Sequence, residues 1–331
     1  MSNTAERESV APVVVADAML APASPASAAG RDEYGMYRNA AGRVFYKVHL
    51  PPSYRRGTPM PVLLALHGRT MSGYGLNSME DLSRFSHIAD TKGFIVIYPT
   101  QDPFRSLSGA WLFYKPEHQL RGSGEPSLLA GVTDAVLRKY GADAKRVHVA
   151  GASAGAAMAV VMAVTYPDVF AAVCSIAGGE YASDQVLAMG PEQITPVETA
   201  RLAYAQMGPR ARQVPAIIIQ GDADTTVPPL FAERLVTHWA AIDDLAVDGQ
   251  IDGDVDDELE TRQRVVNPGD HPYVKSVYAA AKDKEPLIEK YLIEGLGHQW
   301  PRGGGSGALA DPLGPDISTI IWDFFATHSL P

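Results

Sequence analysis

Apolar positions follow two rhythms that alternate along the chain. Short apolar runs that close on a glycine or proline occur at "PVLLALHG" (61–68), "FIVIYP" (94–99), "RVHVAG" (146–151), "FAAVCSIAG" (170–178) and "PAIIIQG" (215–221). "RVFYKVHLP" (43–51) alternates apolar and polar residues, and "VKSVYAA" and "KYLIEG" add two later runs of strand type. Between them, residues 78–93, 125–141, 154–167, 230–240 and 316–328 carry apolar residues three and four apart. The first pattern predicts strands and the second predicts helices. Strands that alternate with helices predict a mostly parallel sheet covered on both faces, an α/β fold. No repeat of fixed period is present.

Two segments break the alternation. Residues 182–212 carry polar helical sequence between two strands and are expected to form a small cap over the cleft. Residues 242–272 are acidic and turn-rich ("DDLAVDGQIDGDVDDELE") and are expected to be a solvated loop insertion. A calcium-loop register beginning at Asp248 puts Gly253 at the turn position. However, Gln250 and Leu259 fall where carboxylates belong, so no metal site is assigned. Residues 1–36 are expected to be a disordered Ala/Pro-rich leader, with one folded domain over 37–331. The leader faintly resembles a secretory signal, but Asp17 and two prolines interrupt its apolar part. The preceding "MSNTAERE" carries two Glu against one Arg, where a signal wants a positive start.

Composition narrows the classes further. A chain of 331 residues with 46% hydrophobic and 20% charged residues can bury a sizeable core. A net charge of −10 argues against a nucleic-acid partner, which needs a basic face. No run approaches the roughly 18 apolar residues of a membrane span. Cys174 is the one cysteine, so no intrachain disulfide is possible and no Cys-rich metal site exists; in its apolar run it reads as a buried structural thiol.

The chemistry concentrates at "HVAGASAGAAMAV" (148–160), where Gly-Ala-Ser-Ala-Gly is the whole connection between a strand and a helix. A turn that tight strains its central residue and needs small neighbours, which fits Ser153 as a nucleophile held up between Gly151 and Gly155. A helix N-cap is the competing role for such a serine. A nucleophile needs a base, and the base needs an orienting acid. "IIIQGDADTTVPP" supplies the acid: Asp224 is preferred, because Asp222 lies closer to the strand end and serves the turn. "KYLIEGLGHQWPRGGG" supplies His298 after a late strand. His49, His87, His118 and His148 precede the acid or lie inside elements. His238 falls on a helix, His271 in an acidic loop and His328 near the end. An oxyanion hole would use the backbone N–H of Ala154 and that of Arg69 (or Thr70), after the strand "LLALHGRT". Trp111 and Trp300 are candidates for lining the substrate cleft.

These residues lie in runs that resemble the poly(3-hydroxybutyrate) depolymerase family of α/β-hydrolase esterases, which also holds feruloyl and acetylxylan esterases. The resemblance spans about residues 36 to 328. It rests on "LHGRTMSGYGLNSMEDLSRFSHIADTKGFIVIYP", "RGSGEPSLLAGVTDAVL", "VAGASAGAAMAVVMAVTYPDVFAAVCSIAG", "GDADTTVPP", "GLGHQWPRGG" and "DPLGPDISTIIWDFF". It implies an α/β-hydrolase fold, with Ser153 as nucleophile, Asp224 as acid and His298 as base, and calls for no cofactor. It implies an ester substrate, foremost a short-chain hydroxyalkanoate polyester or its oligomers. A feruloyl, acetylxylan or general short-acyl esterase is the alternative, and an inactive binding protein on the same fold a remote one. Two departures stand out. Arg69 replaces a cysteine common in the family, and "AWLFY" (110–114) replaces a Cys-Trp-Asn-Trp-Phe run while keeping Trp111. The disulfide of secreted relatives therefore cannot form, which predicts a cytoplasmic enzyme, with secretion as the alternative. Secreted polymer depolymerases also append a linker and a substrate-binding domain, and the chain shows neither after its last helix, so weak attack on crystalline polymer is expected.

Overall fold

The structure, a computed structural model, describes residues 30–278, 286–305, 307 and 309–331. Strands β1 (Arg31–Asn39) and β2 (Gly42–Leu50) form an antiparallel hairpin. There follow β3 (Val62–Leu66), helices α1 (Met79–Ser83) and α2 (Phe85–Lys92), β4 (Ile95–Thr100), α3 (Gly124–Tyr140), β5 (Val147–Ala152) and α4 (Ala154–Thr165). Then come β6 (Ala172–Ile176), α5 (Ser183–Met189), α6 (Pro196–Met207), β7 (Ala216–Gly221) and α7 (Leu230–Asp248). The chain closes with β8 (Thr261–Val265), β9 (Tyr273–Tyr278), β10 (Ile288–Ile293), the short pair β11 (Trp300–Pro301) and β12 (Ala310–Asp311), and α8 (Ile317–Ala326).

Ten strands make one sheet in the order β1-β2-β4-β3-β5-β6-β7-β10-β9-β8. The centre from β4 to β10 is parallel, and antiparallel strands close both edges. The α/β-hydrolase fold expected from the sequence is therefore borne out. Side chains of each central strand alternate between two apolar layers. Val62, Leu64 and Leu66 of β3 face one with α3, α4, α6 and α7; Leu63 and Ala65 face the other with α1, α2 and α8. Burying each such aliphatic side chain contributes about 1.5–3 kcal/mol. Every residue of α4 is buried, so the helix after Ser153 is fixed from all sides. Among the described residues, no helix is long and apolar enough to cross a membrane.

Several boundaries differ from the sequence expectation, each for a physical reason. Strand β1 begins at Arg31 rather than after residue 36; it is a polar edge strand whose exposed side chains hide the strand signal. The rest of the expected leader, residues 1–29, lies outside the described residues. The helix expected over 78–93 is broken by Arg84 in the left-handed conformation (φ 55°), which ends α1 and turns Phe85 into the core. Residues 182–212 form no cap. Thr199, Ala200, Ala203 and Met207 of α6 are buried in the helical layer beside α4 and α7, and α5 alone reaches the cleft, through Leu187. The loop expected over 242–272 is in part α7 and β8. Ile242 and Leu245 continue the apolar face of α7, and the two acidic residues between them are buried acceptors. Asp243 takes the Val214 N–H at 2.7 Å, and Asp244 takes those of Asp252, Gly253 and Val255. Asp248, Asp252 and Asp254 beyond it are exposed.

One buried group makes stability depend on pH. His148 of β5 stacks on Phe325 of α8 at 4.7 Å, and neither ring nitrogen has a hydrogen-bond partner among the described residues. Burial brings its pKa down to about 3 from 6.5. Between those values the unfolded chain binds a proton that the native chain does not. Native stability therefore falls as pH drops below 6.5, by about 1.4 kcal/mol per unit. His148→Phe removes this loss. Its advantage over the wild type in urea unfolding should be about 2 kcal/mol larger at pH 5 than at pH 8; an advantage equal at both pH values would show that His148 titrates alike in the folded and the unfolded chain.

Candidate active site

Three strand ends on the same edge of the sheet supply the site: β5, β7 and β10. Between β5 and α4, Ser153 adopts φ 54° and ψ −120°, a strained conformation for a residue with a side chain. Its N–H donates to the Ile176 carbonyl at 2.8 Å, while its side chain makes no cap hydrogen bond. The N-cap role is thereby set aside. The flanking glycines are steric necessities. A Cβ on Gly151 would stand 2.1 Å from the Gly155 carbonyl oxygen, and one on Gly155 would stand 2.3 Å from that of Leu66. Neither clash is with a movable side chain tip, so Gly155→Ala is expected to cost about 1–3 kcal/mol. A lowered urea midpoint with an unchanged slope is the expected result, and an unshifted midpoint would contradict the packing described.

His298, in the loop after β10, places Nε2 3.0 Å from Ser153 Oγ and Nδ1 2.7 Å from Asp224 Oδ2. The Asp224 side chain is fully buried, yet every oxygen is occupied: Oδ1 accepts the N–H groups of Thr226 and Val227 at 2.8 and 2.9 Å. Oδ2 accepts from Gln220 Nε2 at 3.2 Å as well as from His298. These donors keep the carboxylate aimed at Nδ1, so the Nδ1 proton points to Asp224 and the Nε2 lone pair faces the serine. Asp222 instead accepts the Gly295 N–H at 2.6 Å and ties the ends of β7 and β10 together.

Above the serine, the β3–α1 loop completes the other wall. The Thr70 N–H is taken by the Ser108 carbonyl at 2.9 Å, whereas nothing among the described residues accepts the N–H of Arg69. Of the two alternatives, Arg69 therefore has the amide available, with that of Ala154 at the start of α4 beside it. The loop is held from beneath by two residues that the sequence did not single out in that role. Burial brings the His67 pKa down to about 4, so the ring is neutral near pH 7. Its Nε2 accepts the Gln101 N–H at 3.1 Å, which puts the proton on Nδ1, donated to the Gly68 carbonyl at 2.8 Å. The second is Trp111. Only 1% exposed, it donates Nε1–H to the His67 carbonyl at 3.1 Å and packs against the His67 ring. Trp111 thus lies behind the cleft rather than on its surface, a correction to the lining role expected of it. Trp300 borders the cleft but is 2% exposed, with its indole N–H donated to Ser318 Oγ, so it forms part of the floor.

The cleft itself encloses about 840 Å³. Met71, Leu82, Phe113, Tyr114, Leu187 and Val227 give it largely apolar walls around Ser153 and His298. A carbonyl carbon seated at Ser153 Oγ, with its oxygen toward the Arg69 and Ala154 amides, is the arrangement acyl transfer requires.

The profile of the esterase PHB depolymerase family matches residues 44–265. His298 lies beyond that span, so the match to the family model does not include it. Poly(3-hydroxyalkanoate) depolymerase C of Paucimonas lemoignei is 32% identical over 75% of this chain and 57% of its own length. Acetylxylan esterase A of Aspergillus ficuum is 31% identical over 55% of this chain and 62% of its own. The chain thus spans about three-fifths of the length of these curated relatives. Among solved structures, an acetyl xylan esterase from Aspergillus awamori superposes with a TM-score of 0.66 at 22% identity, over 89% of this chain and 99% of that one. At that identity the likeness speaks for the fold.

Proposed function

The chain belongs to the PHB depolymerase esterase family, and from that premise we propose that it is a serine esterase, acting foremost on short-chain hydroxyalkanoate polyesters or their oligomers. The observation that carries this reading is the continuous Ser153–His298–Asp224 hydrogen-bond chain, at 3.0 and 2.7 Å, opening into an apolar cleft. In the proposed cycle Ser153 Oγ attacks the ester carbonyl carbon while its proton passes to His298 Nε2. The tetrahedral oxyanion is held by the Arg69 and Ala154 amides. Collapse breaks the bond to the alcohol, which leaves with the proton from Nε2. Water then attacks the acyl-enzyme, gives its proton to the same nitrogen, and releases the acid and free serine. Asp224 keeps the imidazole in the required tautomer throughout.

The substrate preference is supported by the depolymerase relative and by the apolar walls, which suit the methyl and methylene groups of a hydroxyalkanoate. The acetylxylan esterase relative keeps acetyl esters as the competing reading, with the feruloyl esters that the family resemblance implies beside them. Cytoplasmic residence is the reading that goes with a single, buried cysteine. Product analysis on amorphous polyhydroxybutyrate, its oligomers, methyl ferulate and acetylated xylan tests the preference. Hydroxybutyrate or its dimer is expected as the main product; ferulate or acetate release without hydroxybutyrate would overturn it. Release from none of the four would favour the binding-protein reading.

A further inference from the structure

Among the described residues lining the cleft, the guanidinium of Arg69 is the one side chain with a fixed charge; the others are apolar, hydroxyl or amide side chains and the imidazole of His298. Arg69 is exposed, and no carboxylate among the described residues lies within ion-pair distance of it. Arg121, Arg234, Arg264 and Arg302 form ion pairs with Asp168, Glu180, Glu294 and Asp270, whereas Arg38, Arg55, Arg84 and Arg201, like Arg69, form none among the described residues; what sets Arg69 apart is its place in the wall of the cleft beside Ser153. The backbone of Arg69 is held on its C-terminal side, since Thr70 Oγ1 donates to the Arg69 carbonyl at 2.6 Å and the Thr70 N–H to Ser108. Its own N–H has no acceptor among the described residues, and Arg69 and Ser153 line the same cleft. An exposed cation without an ion-pair partner is thus tethered one side chain away from where an ester carbonyl would sit, in a cleft whose described residues offer it no anion.

We propose that Arg69 reads a free carboxylate on the substrate, and that the preferred esters are short acid-terminated oligoesters cut near their carboxyl end. The assignment rests on the esterase reading of the same cleft. A single hydroxyacid repeat between the scissile ester and the terminal carboxylate is comparable in length to an arginine side chain. The apolar walls hold the repeat and the guanidinium takes both carboxylate oxygens in its fork. The site is open to water, so the pairing is screened by salt. A net charge of −10 otherwise repels such a substrate, which makes the local cation decisive for its capture.

The test compares a hydroxybutyrate trimer with a free acid end against the same trimer capped as its methyl ester, alongside p-nitrophenyl butyrate. In the wild type, kcat/KM for the free acid is expected to exceed that for the capped trimer about tenfold, with the excess in KM. Raising the salt from 20 to 500 mM should erode that preference and leave the capped trimer little affected. Arg69→Gln should bring the ratio close to one and Arg69→Lys should restore part of it. Any effect of the substitution on the loop itself acts on both trimers and drops out of the ratio. A wild-type ratio of one, or a ratio that survives in Arg69→Gln, overturns the assignment while leaving the esterase reading intact. Failure of the wild type on all three esters, p-nitrophenyl butyrate included, overturns the esterase reading and this assignment with it.

Discussion

Ser153→Ala is expected to lower kcat for any ester by about a million-fold, to the level of contaminating activity, while leaving the fold in place. The residue occupies a strained backbone position that alanine tolerates no worse than serine does, and among the described residues its side chain makes no hydrogen bond except with His298. Thermal and urea unfolding should therefore change little. Substrate binding should also persist, because the cleft walls and the two amides remain. A variant that keeps even one-hundredth of the activity on p-nitrophenyl butyrate would mean that another group attacks the ester.

Asp224→Asn should lower kcat by about ten-thousand-fold with a small change in KM. The size of the effect follows from the neighbours of the carboxylate. Thr226 and Val227 present two backbone N–H donors to Oδ1, so an asparagine there must turn its carbonyl oxygen toward them. Its NH₂ group then faces His298 Nδ1, which can accept but no longer donate. The proton moves to Nε2, against Ser153 Oγ, where a lone pair is required. The charge that stabilises the imidazolium is lost as well. A fall of only a few-fold would mean that Asp224 is a turn former and that the histidine is oriented by something else.

The sequence carried these two residues and their partner because each follows a buried strand, and buried strands are legible as unbroken apolar runs. "RVHVAG", "PAIIIQG" and "KYLIEG" end where β5, β7 and β10 end, within a residue or two. Which strands lie side by side was not legible. The neighbours β7 and β10 are separated by sixty-odd residues of chain, and nothing local in either marks the other. Polar edge strands are the weakest signal: β1 and β8 are held by backbone pairing with few buried side chains, so in sequence the first reads as leader up to residue 36 and the second as loop. Acidic residues misled for the opposite reason. Asp243 and Asp244 look like solvated surface in sequence, yet both are buried acceptors of backbone N–H groups from other segments. Trp111 shows the same limit at the site. An aromatic in a loop next to the cleft reads as a wall, whereas its indole N–H is spent on the His67 carbonyl beneath the β3–α1 loop. Likewise, only the Ser108 carbonyl, far along the chain from Thr70, decides which of two adjacent amides is free.

The central claim is that Ser153 is an activated nucleophile, and covalent capture tests it most directly. The folded protein, treated with a fluorophosphonate and analysed by intact mass and peptide mapping, should gain one adduct, located on Ser153. Ester hydrolysis should be lost in proportion to labelling, and Ser153→Ala should take up no label. Folded protein that stays unlabelled, or that carries the adduct on a different residue, would contradict the account.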